Sequence, residues 1–122
     1  DNNASGQITF PPENQKIDLH VGDMGISEYG DSFYVYICSD NASTSNGELL
    51  IEGETAYKSF TNNFWGINIA AGECTKIYGA TFDTINVDSG DTYTITATAD
   101  PSDILDEEAE YNNVNTEVIM VP

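Results

Sequence analysis

The chain has 122 residues, a length that suits one domain with a single two-layer core. Its 21 acidic residues face only three lysines, which gives a formal net charge of −18. Such a surface repels the phosphates of nucleic acids and anionic lipids, so both are excluded as partners. No apolar run of about 18 residues occurs, and we expect no membrane insertion. The charge favours cations and solubility in strong salt, which indicates a halophilic or calcium-rich setting.

The N-terminal segment, residues 1–15, is polar and resembles a linker. Within it, Gln7–Phe10 alternates polar and apolar residues, as a strand does. We predict an N-terminal extension that packs on its own domain, links it to a preceding one, or is donated as a strand to a neighbouring copy through Ile8 and Phe10. The domain itself then comprises residues 16–122. Because the chain starts at Asp1 without a leader-like segment, we expect a processed mature chain or an excised domain.

Short stretches with a period of two, typical of strands, follow along the chain. In chain order they are Ile17–Val21, Phe33–Cys38, Leu49–Ile51, Tyr57–Phe60, Cys74–Phe82, Thr92–Ala99 and Val114–Val121, and the alternating Trp65, Ile67 and Ile69 lead into Ala71-Gly72-Glu73 before the fifth. The segments between them are rich in Gly, Asn, Asp and Ser, and we predict turns at Ser39–Gly47, Asn62–Asn63 and Asp88–Asp91. Met24–Gly30 is interpreted as a bent continuation of the first strand or as a loop.

The number and spacing of these stretches indicate the fold class. About seven strands lie roughly ten residues apart, and no twelve-residue window has helical periodicity. We predict an all-β protein, an antiparallel immunoglobulin-like β-sandwich of about seven strands. Its last two strands, Thr92–Ala99 and Val114–Val121, are expected to form an antiparallel pair on which the others pack.

The two cysteines, Cys38 and Cys74, lack the spacing and the neighbouring ligands of a zinc site. We predict a disulfide between them, with two unpaired buried thiols as the alternative. The bond would close a loop of about 35 residues, worth on the order of 3–4 kcal/mol, and would indicate an oxidising compartment. In an immunoglobulin-like sandwich the second and fifth strands are neighbours in one sheet, and the two cysteines lie on those strands.

The chain resembles the CARDB domain, the cell-adhesion-related domain found in bacteria and archaea. The resemblance covers residues 16–121, and its main motif is Asp100-Pro101 followed by Glu107, Glu110 and Asn112-Asn113 after a Tyr-Thr-Ile-Thr-Ala strand. Two shorter matches support it, Ala71-Gly72-Glu73 before a strand and Cys38-Ser-Asp-Asn-Ala at the end of one. The resemblance implies an extracellular, non-catalytic module of surface proteins.

The loop of the final hairpin carries six carboxylates within eleven residues: Asp100, Asp103, Asp106, Glu107, Glu108 and Glu110. Ca²⁺ takes six to eight oxygen ligands in a flexible geometry, which such a loop can provide. We therefore consider a calcium site formed by Asp100, Asp103, Glu107 and Glu110, although the EF-hand order of ligands is absent. The alternative is ordinary solvated charge, and no cofactor is required.

Two surface features are typical of secreted proteins. Phe64 and Trp65, beside two asparagines, have the composition of a carbohydrate-stacking platform, whereas the lone Trp of a sandwich more often lies in the core. The sequons Asn3-Ala-Ser and Asn41-Ala-Ser would accept N-glycans in predicted loops.

The sequence contains no nucleophile elbow, no zinc-protease motif and no phosphate-binding glycine loop, so we expect no enzyme. The single histidine, His20, is expected to be a surface residue. The favoured function is a structural or adhesive protein at the cell surface, and the subunit of an extracellular filament such as a pilus is one form that it could take. Its partners would be further copies of itself or neighbouring surface-protein domains. The alternative is a carbohydrate-binding module of a secreted protein.

Overall fold

The structure, a computed structural model, describes residues 17–100 and 113–122. Seven strands occur in these ranges, the number expected from the sequence. They are β1 (Asp18–Ile26), β2 (Ser32–Asp40), β3 (Thr44–Glu54), β4 (Ser59–Ile69), β5 (Glu73–Thr81), β6 (Thr92–Ala99) and β7 (Val114–Met120).

The strands form two antiparallel sheets. The three-stranded sheet has the order β1-β2-β5, and the four-stranded sheet has the order β4-β3-β6-β7. The predicted fold class is confirmed, because the sheets stack as an immunoglobulin-like sandwich with no helix in the described ranges. The predicted pairing of the last two strands is also confirmed, with Thr98 opposite Val114 and Thr92 opposite Met120.

The core lies between the inner faces of the two sheets. Along β6, Tyr93, Ile95 and Ala97 are fully buried, which is the inward half of the alternation read from the sequence. Phe33 of β2 lies at the centre, with its ring centroid 4.9 Å from that of Phe82 and 6.0 Å from that of Tyr93. Edge-to-face aromatic contacts of this kind join the two sheets and add to the burial of apolar area.

The predicted turn at Asn62–Asn63 is wrong. Both residues lie within β4, which continues from the predicted strand at Tyr57–Phe60 through the alternating Trp65, Ile67 and Ile69. The reason is that Asn62 has a partner across the sandwich. Its Oδ1 accepts a hydrogen bond from the backbone N–H of Ala80 in β5, at 3.0 Å. The amide thus closes one open side of the sandwich instead of turning the chain.

Two other boundaries differ from the prediction. The turn predicted over Ser39–Gly47 shrinks to residues 41–43, where Asn41 has a φ of +57° and the Ser39 hydroxyl donates to the carbonyl of Ala42. The first strand continues to Ile26 through a register shift between Val21 and Met24, so the interpretation as a bent continuation was correct.

Candidate functional site

A disulfide joins Cys38 of β2 to Cys74 of β5, and the chain has no free cysteine. The two residues lie directly opposite each other in the register of the two strands, so the bond is a link within one sheet. Cys38 is buried and Cys74 is exposed. Because both sulfur atoms are held in this bond, neither is available as a nucleophile or a metal ligand.

The same register brings together a group of aromatic and charged side chains on the outer face of the three-stranded sheet. Tyr36 lies opposite Lys76, and Tyr34 lies opposite Tyr78. On the other side of β2, Gly25 is the partner of Tyr34 and leaves room for its ring. We call Tyr34, Tyr36, Lys76 and Tyr78, with Glu28 from the β1–β2 turn, the tyrosine–lysine cluster.

Lys76 is the centre of this cluster. Its Nζ lies 4.6 Å from the ring centroid of Tyr34, 5.8 Å from that of Tyr36 and 5.1 Å from that of Tyr78. It also donates a hydrogen bond to Glu28 Oε1 at 2.9 Å, and the Tyr78 hydroxyl donates to Glu28 Oε2 at 2.8 Å. The ammonium is thus held by cation–π contacts and by an ion pair at once.

These contacts shift the pKa values of Glu28, Lys76 and Tyr78. The hydrogen bond from Lys76, assisted by the one from Tyr78, lowers the pKa of Glu28 to about 2. The hydrogen bond to Glu28 raises the pKa of Lys76 above its ordinary value, and it raises the pKa of the Tyr78 hydroxyl as well. The cluster is therefore an aromatic surface whose one cation is neutralised by the carboxylate of Glu28.

Phe64 and Trp65 do not form a shared platform. Phe64 is half-buried and packs against the core, whereas Trp65 is 67% exposed. A bulge lies at this point of the β3–β4 pairing. Gly47 is opposite Ile67 and Leu49 is opposite Phe64, so β4 has one more residue than β3 over this interval. Gly66, within the bulge, has a φ of +67°. The expectation that the lone Trp lies in the core is therefore wrong.

Of the four residues predicted to bind calcium, only Asp100 lies in the described ranges. It is buried at the end of β6 with a φ of +51°, and its N–H donates to the carbonyl of Glu48 at 2.8 Å. Asp103, Glu107 and Glu110 lie outside the described residues. Residues 17–100 and 113–122 contain no group of three or more His, Cys, Asp or Glu side chains that could hold a metal ion. Calcium binding therefore remains a prediction.

The predicted glycosylation site at Asn41 lies on an exposed turn. Ser43, the third residue of its sequon, accepts a hydrogen bond from the N–H of Ala71 through its hydroxyl, at 3.1 Å. This bond ties the β2–β3 turn to the β4–β5 turn. Asn3, Ile8 and Phe10, which were predicted for glycosylation and assembly, lie outside the described residues.

The remaining polar features of the described ranges are structural. His20 Nδ1 lies 3.1 Å from Asp40 Oδ2 at the surface of β1 and β2, which agrees with its interpretation as a surface residue. A depression of about 350 Å³ crosses the outer face of the four-stranded sheet, with Glu52 and Glu54 of β3 between Ser59 and Thr61 of β4 and Thr94 and Thr96 of β6. It is open to solvent and polar, unlike the apolar clefts in which most enzymes bind substrates.

One face without charge stands out on this acidic protein. The outward residues of β6 and β7 are Thr92, Thr94, Thr96, Thr98, Val114, Thr116, Val118 and Met120. We call these eight residues the neutral strip. Val114, Val118 and Met120 are between 54% and 68% exposed, although each is apolar. Both alternations are visible in the sequence, whereas the half of β7 that faces water follows from its pairing with β6.

Comparison with known proteins identifies the fold. No family model and no curated protein matches the chain. Among solved structures, the chain is similar to the solution structure of the CARDB domain of a Pyrococcus furiosus protein, with 17% identity over 88% of this chain and 99% of that chain and a TM-score of 0.61. A crystal structure of that domain, in complex with di-metal ions, is similar with 17% identity over 94% of this chain and 100% of that chain, with a TM-score of 0.53.

These similarities, together with the described topology, place the chain in the class of immunoglobulin-like β-sandwiches. Within that class it has a CARDB-like fold, as the motifs of its sequence indicated. Within the described ranges, no helix is long and apolar enough to cross a membrane.

Proposed function

We propose that this chain is a non-catalytic domain of an extracellular surface protein, with a structural or adhesive role. The observation that carries the proposal is the disulfide between β2 and β5 in a CARDB-like sandwich. A disulfide persists in oxidising compartments, which supports a location outside the cytoplasm. The absence of a reactive cysteine and the open, polar depressions of the described surface support a binding or structural role over catalysis.

We further propose that copies of the domain assemble through the N-terminal extension, residues 1–15. A sandwich accepts an added strand where its sheets are least closed. The β4–β5 side is bridged by Asn62 and by the Thr75 hydroxyl, which donates to the carbonyl of Asn68 at 2.8 Å. On the β1–β7 side, one longer bond joins the Asn115 amide to the carbonyl of Gly22, at 3.4 Å. Among the described residues, the β1–β7 side is thus bridged by the longer bond, which supports it as the acceptor.

Light scattering of the intact chain and of a chain without residues 1–12, both in strong salt, tests this assembly. Donation to the next copy would give open fibres or a closed ring, and the truncated chain should stay small. The Ile8→Asp variant should also fail to assemble, whereas Thr9→Asp adds the same charge on the other strand face and serves as its control. An intact chain that stays monomeric in every salt, or a truncated one that assembles equally well, refutes strand donation.

A carbohydrate-binding role is the second candidate, and the exposure of Trp65 favours it. Exposed aromatic rings provide a flat apolar surface beside polar groups, which suits a sugar ring. The test is affinity electrophoresis in gels that contain neutral polysaccharides, with Trp65→Ala as the variant. Tyr57→Ala, which removes an even more exposed ring elsewhere, is the control. Equal migration of all three proteins in every gel rejects this role.

Calcium binding by Asp100, Asp103, Glu107 and Glu110 also remains part of the proposal. A similar CARDB domain is described in complex with di-metal ions, which supports a test without identifying the ligands in this chain. Isothermal titration with CaCl₂ should give saturable heat in the intact protein and none in a variant with all four residues changed to amides. The same heat in both proteins would show that the binding is ordinary screening by the acidic surface.

A further inference from the structure

The neutral strip is unusual because of where it lies. About one residue in six of this chain is acidic, yet eight neighbouring outward positions on β6 and β7 carry no charge. Carboxylates return in the next row of the sheet, where Glu52 faces Thr96 and Glu54 faces Thr94 across the β3–β6 pairing. The strip is therefore an uncharged band along one margin of this face, and two carboxylates lie in the row beside it.

The strip also brings exposed apolar side chains together on one strand. The large hydrophobic side chains with high exposure are Tyr29, Tyr57, Trp65, Tyr78, Val114, Val118 and Met120. The last three lie on the outward face of β7, whereas the aromatic residues lie on other elements, with Tyr29 and Tyr78 in ring contact. Within the strip, the hydroxyls of Thr96 and Thr116 bond to each other at 3.3 Å, which reduces their need for water. Apolar groups gathered in this way mark contact surfaces.

We infer that the neutral strip is a contact surface for the neutral strip of a second copy of this chain. A cationic partner would gain nothing here, since its attraction lies with the carboxylates elsewhere. A second copy carries −18 as well, so the two can approach closely only where neither presents charge. Suppose that the β7 row of each copy lies over the β6 row of the other. The row that carries Glu52 and Glu54 in one copy is then at the opposite margin of the contact from the same row in the other copy. The valines and Met120 then pack against threonine methyl groups.

The size of the strip determines how strong this contact is. A strand of seven residues with a rise of about 3.4 Å per residue is roughly 24 Å long, and two strands about 4.8 Å apart are roughly 10 Å wide. The contact would therefore bury about 500 Å² in total over the two copies. Stable complexes bury about 1,200 Å² or more. The contact is therefore weak for free molecules, and it becomes populated where copies are held side by side at millimolar effective concentration. This matches the proposed assembling surface protein but does not depend on it.

Sedimentation equilibrium tests the inference on the intact chain. In about 1 M NaCl, where the screening length is about 3 Å, the apparent mass should rise above 13.3 kDa as the protein approaches about 1 mM. In low salt it should remain monomeric. Val118→Glu should weaken the association by about tenfold or more, since it places a charge in the contact. Tyr57→Glu gives the same net charge at a site away from the strip and should associate as the intact chain does.

Two further measurements separate the alternatives. When the unmodified protein is diluted, its amide chemical shifts should change along β6 and β7. This measurement does not depend on the correct folding of any variant. The chain without residues 1–12 should retain the salt-dependent association if the strip makes the contact, whatever becomes of strand donation. The inference is overturned if the intact chain stays monomeric at 1 mM in strong salt, if the two glutamate variants associate equally, or if only the truncation abolishes association.

Discussion

Removal of the Cys38–Cys74 disulfide is the perturbation whose size follows most directly from the structure. The bond spans a sequence separation of 36 residues. In the chain-entropy description, a loop of this length restricts the unfolded chain by an amount worth about 4 kcal/mol at 25 °C. A domain of 122 residues loses about 4 °C of melting temperature per kcal/mol. The Cys38→Ala/Cys74→Ala double variant should therefore melt about 15 °C below the oxidised protein.

Removal of the disulfide should destabilise β5 before the other strands. Among the described strands, β5 lies at the edge of its sheet and pairs with β2. Its contacts with β4 include two side-chain hydrogen bonds, one from Ala80 N–H to Asn62 and one from Thr75 to Asn68. Hydrogen exchange of the double variant should accelerate in β5 before it does in β3 and β6, which lie in the middle of the other sheet. Reductant should lower the melting temperature of the native protein and leave that of the double variant unchanged.

A fall in melting temperature of less than about 4 °C would refute this reasoning, because it would show that the link restricts the unfolded chain little. Equal acceleration of exchange in all strands would contradict the second part. Such a result would mean that the disulfide supports the fold as a whole and not the attachment of its edge strand.

Three other perturbations have defined outcomes. In Lys76→Gln, the pKa of Glu28 should rise from about 2 toward its ordinary value of 4.5, as measured by carboxyl NMR. Since folding lowers this pKa, the ion pair stabilises the fold above pH 4.5 and its contribution is lost as the pH falls toward 2; an unchanged pKa would contradict the cluster. Gly53→Ala places a methyl group 2.6 Å from Phe60 Cζ and should cost about 1–3 kcal/mol in urea unfolding, whereas a neutral result would mean that the ring can move freely. Trp65→Ala should change the free energy of unfolding by less than about 0.5 kcal/mol, and a blue-shifted emission of the native protein would show instead that Trp65 is buried.

The sequence predicted the elements whose alternation is regular. In β6, four threonines alternate with residues that are buried in the structure, and no bulge interrupts the period. The sequence places a turn inside β4 because Asn62-Asn63 resembles one, and the hydrogen bond between Asn62 and Ala80 across the sandwich is visible only in the structure. Trp65 was misplaced because the bulge at Gly66 shifts the phase of the alternation, and the sequence alone does not mark where β3 and β4 fall out of register.

The tyrosine–lysine cluster was missed, although a signal for it existed. Once Cys38 and Cys74 are taken as opposite residues on antiparallel strands, the register follows by counting outward from them. Two steps bring Tyr36 opposite Lys76, and four bring Tyr34 opposite Tyr78, as the structure shows. The ion pair with Glu28 lay beyond this reasoning, because it depends on the conformation of the β1–β2 turn.

Both lysines of the described ranges are occupied by carboxylates of the same molecule. Lys76 is paired with Glu28, and Lys58 donates to Asp88 at 2.8 Å and to Asp91 at 3.3 Å, which raises the pKa of its ammonium. The unpaired charge that these ranges expose to the solution is therefore almost wholly negative. A dense layer of such domains would act as a cation exchanger. Mobile cations would accumulate within it, their osmotic pressure would swell the layer in fresh water, and strong brine would let it contract.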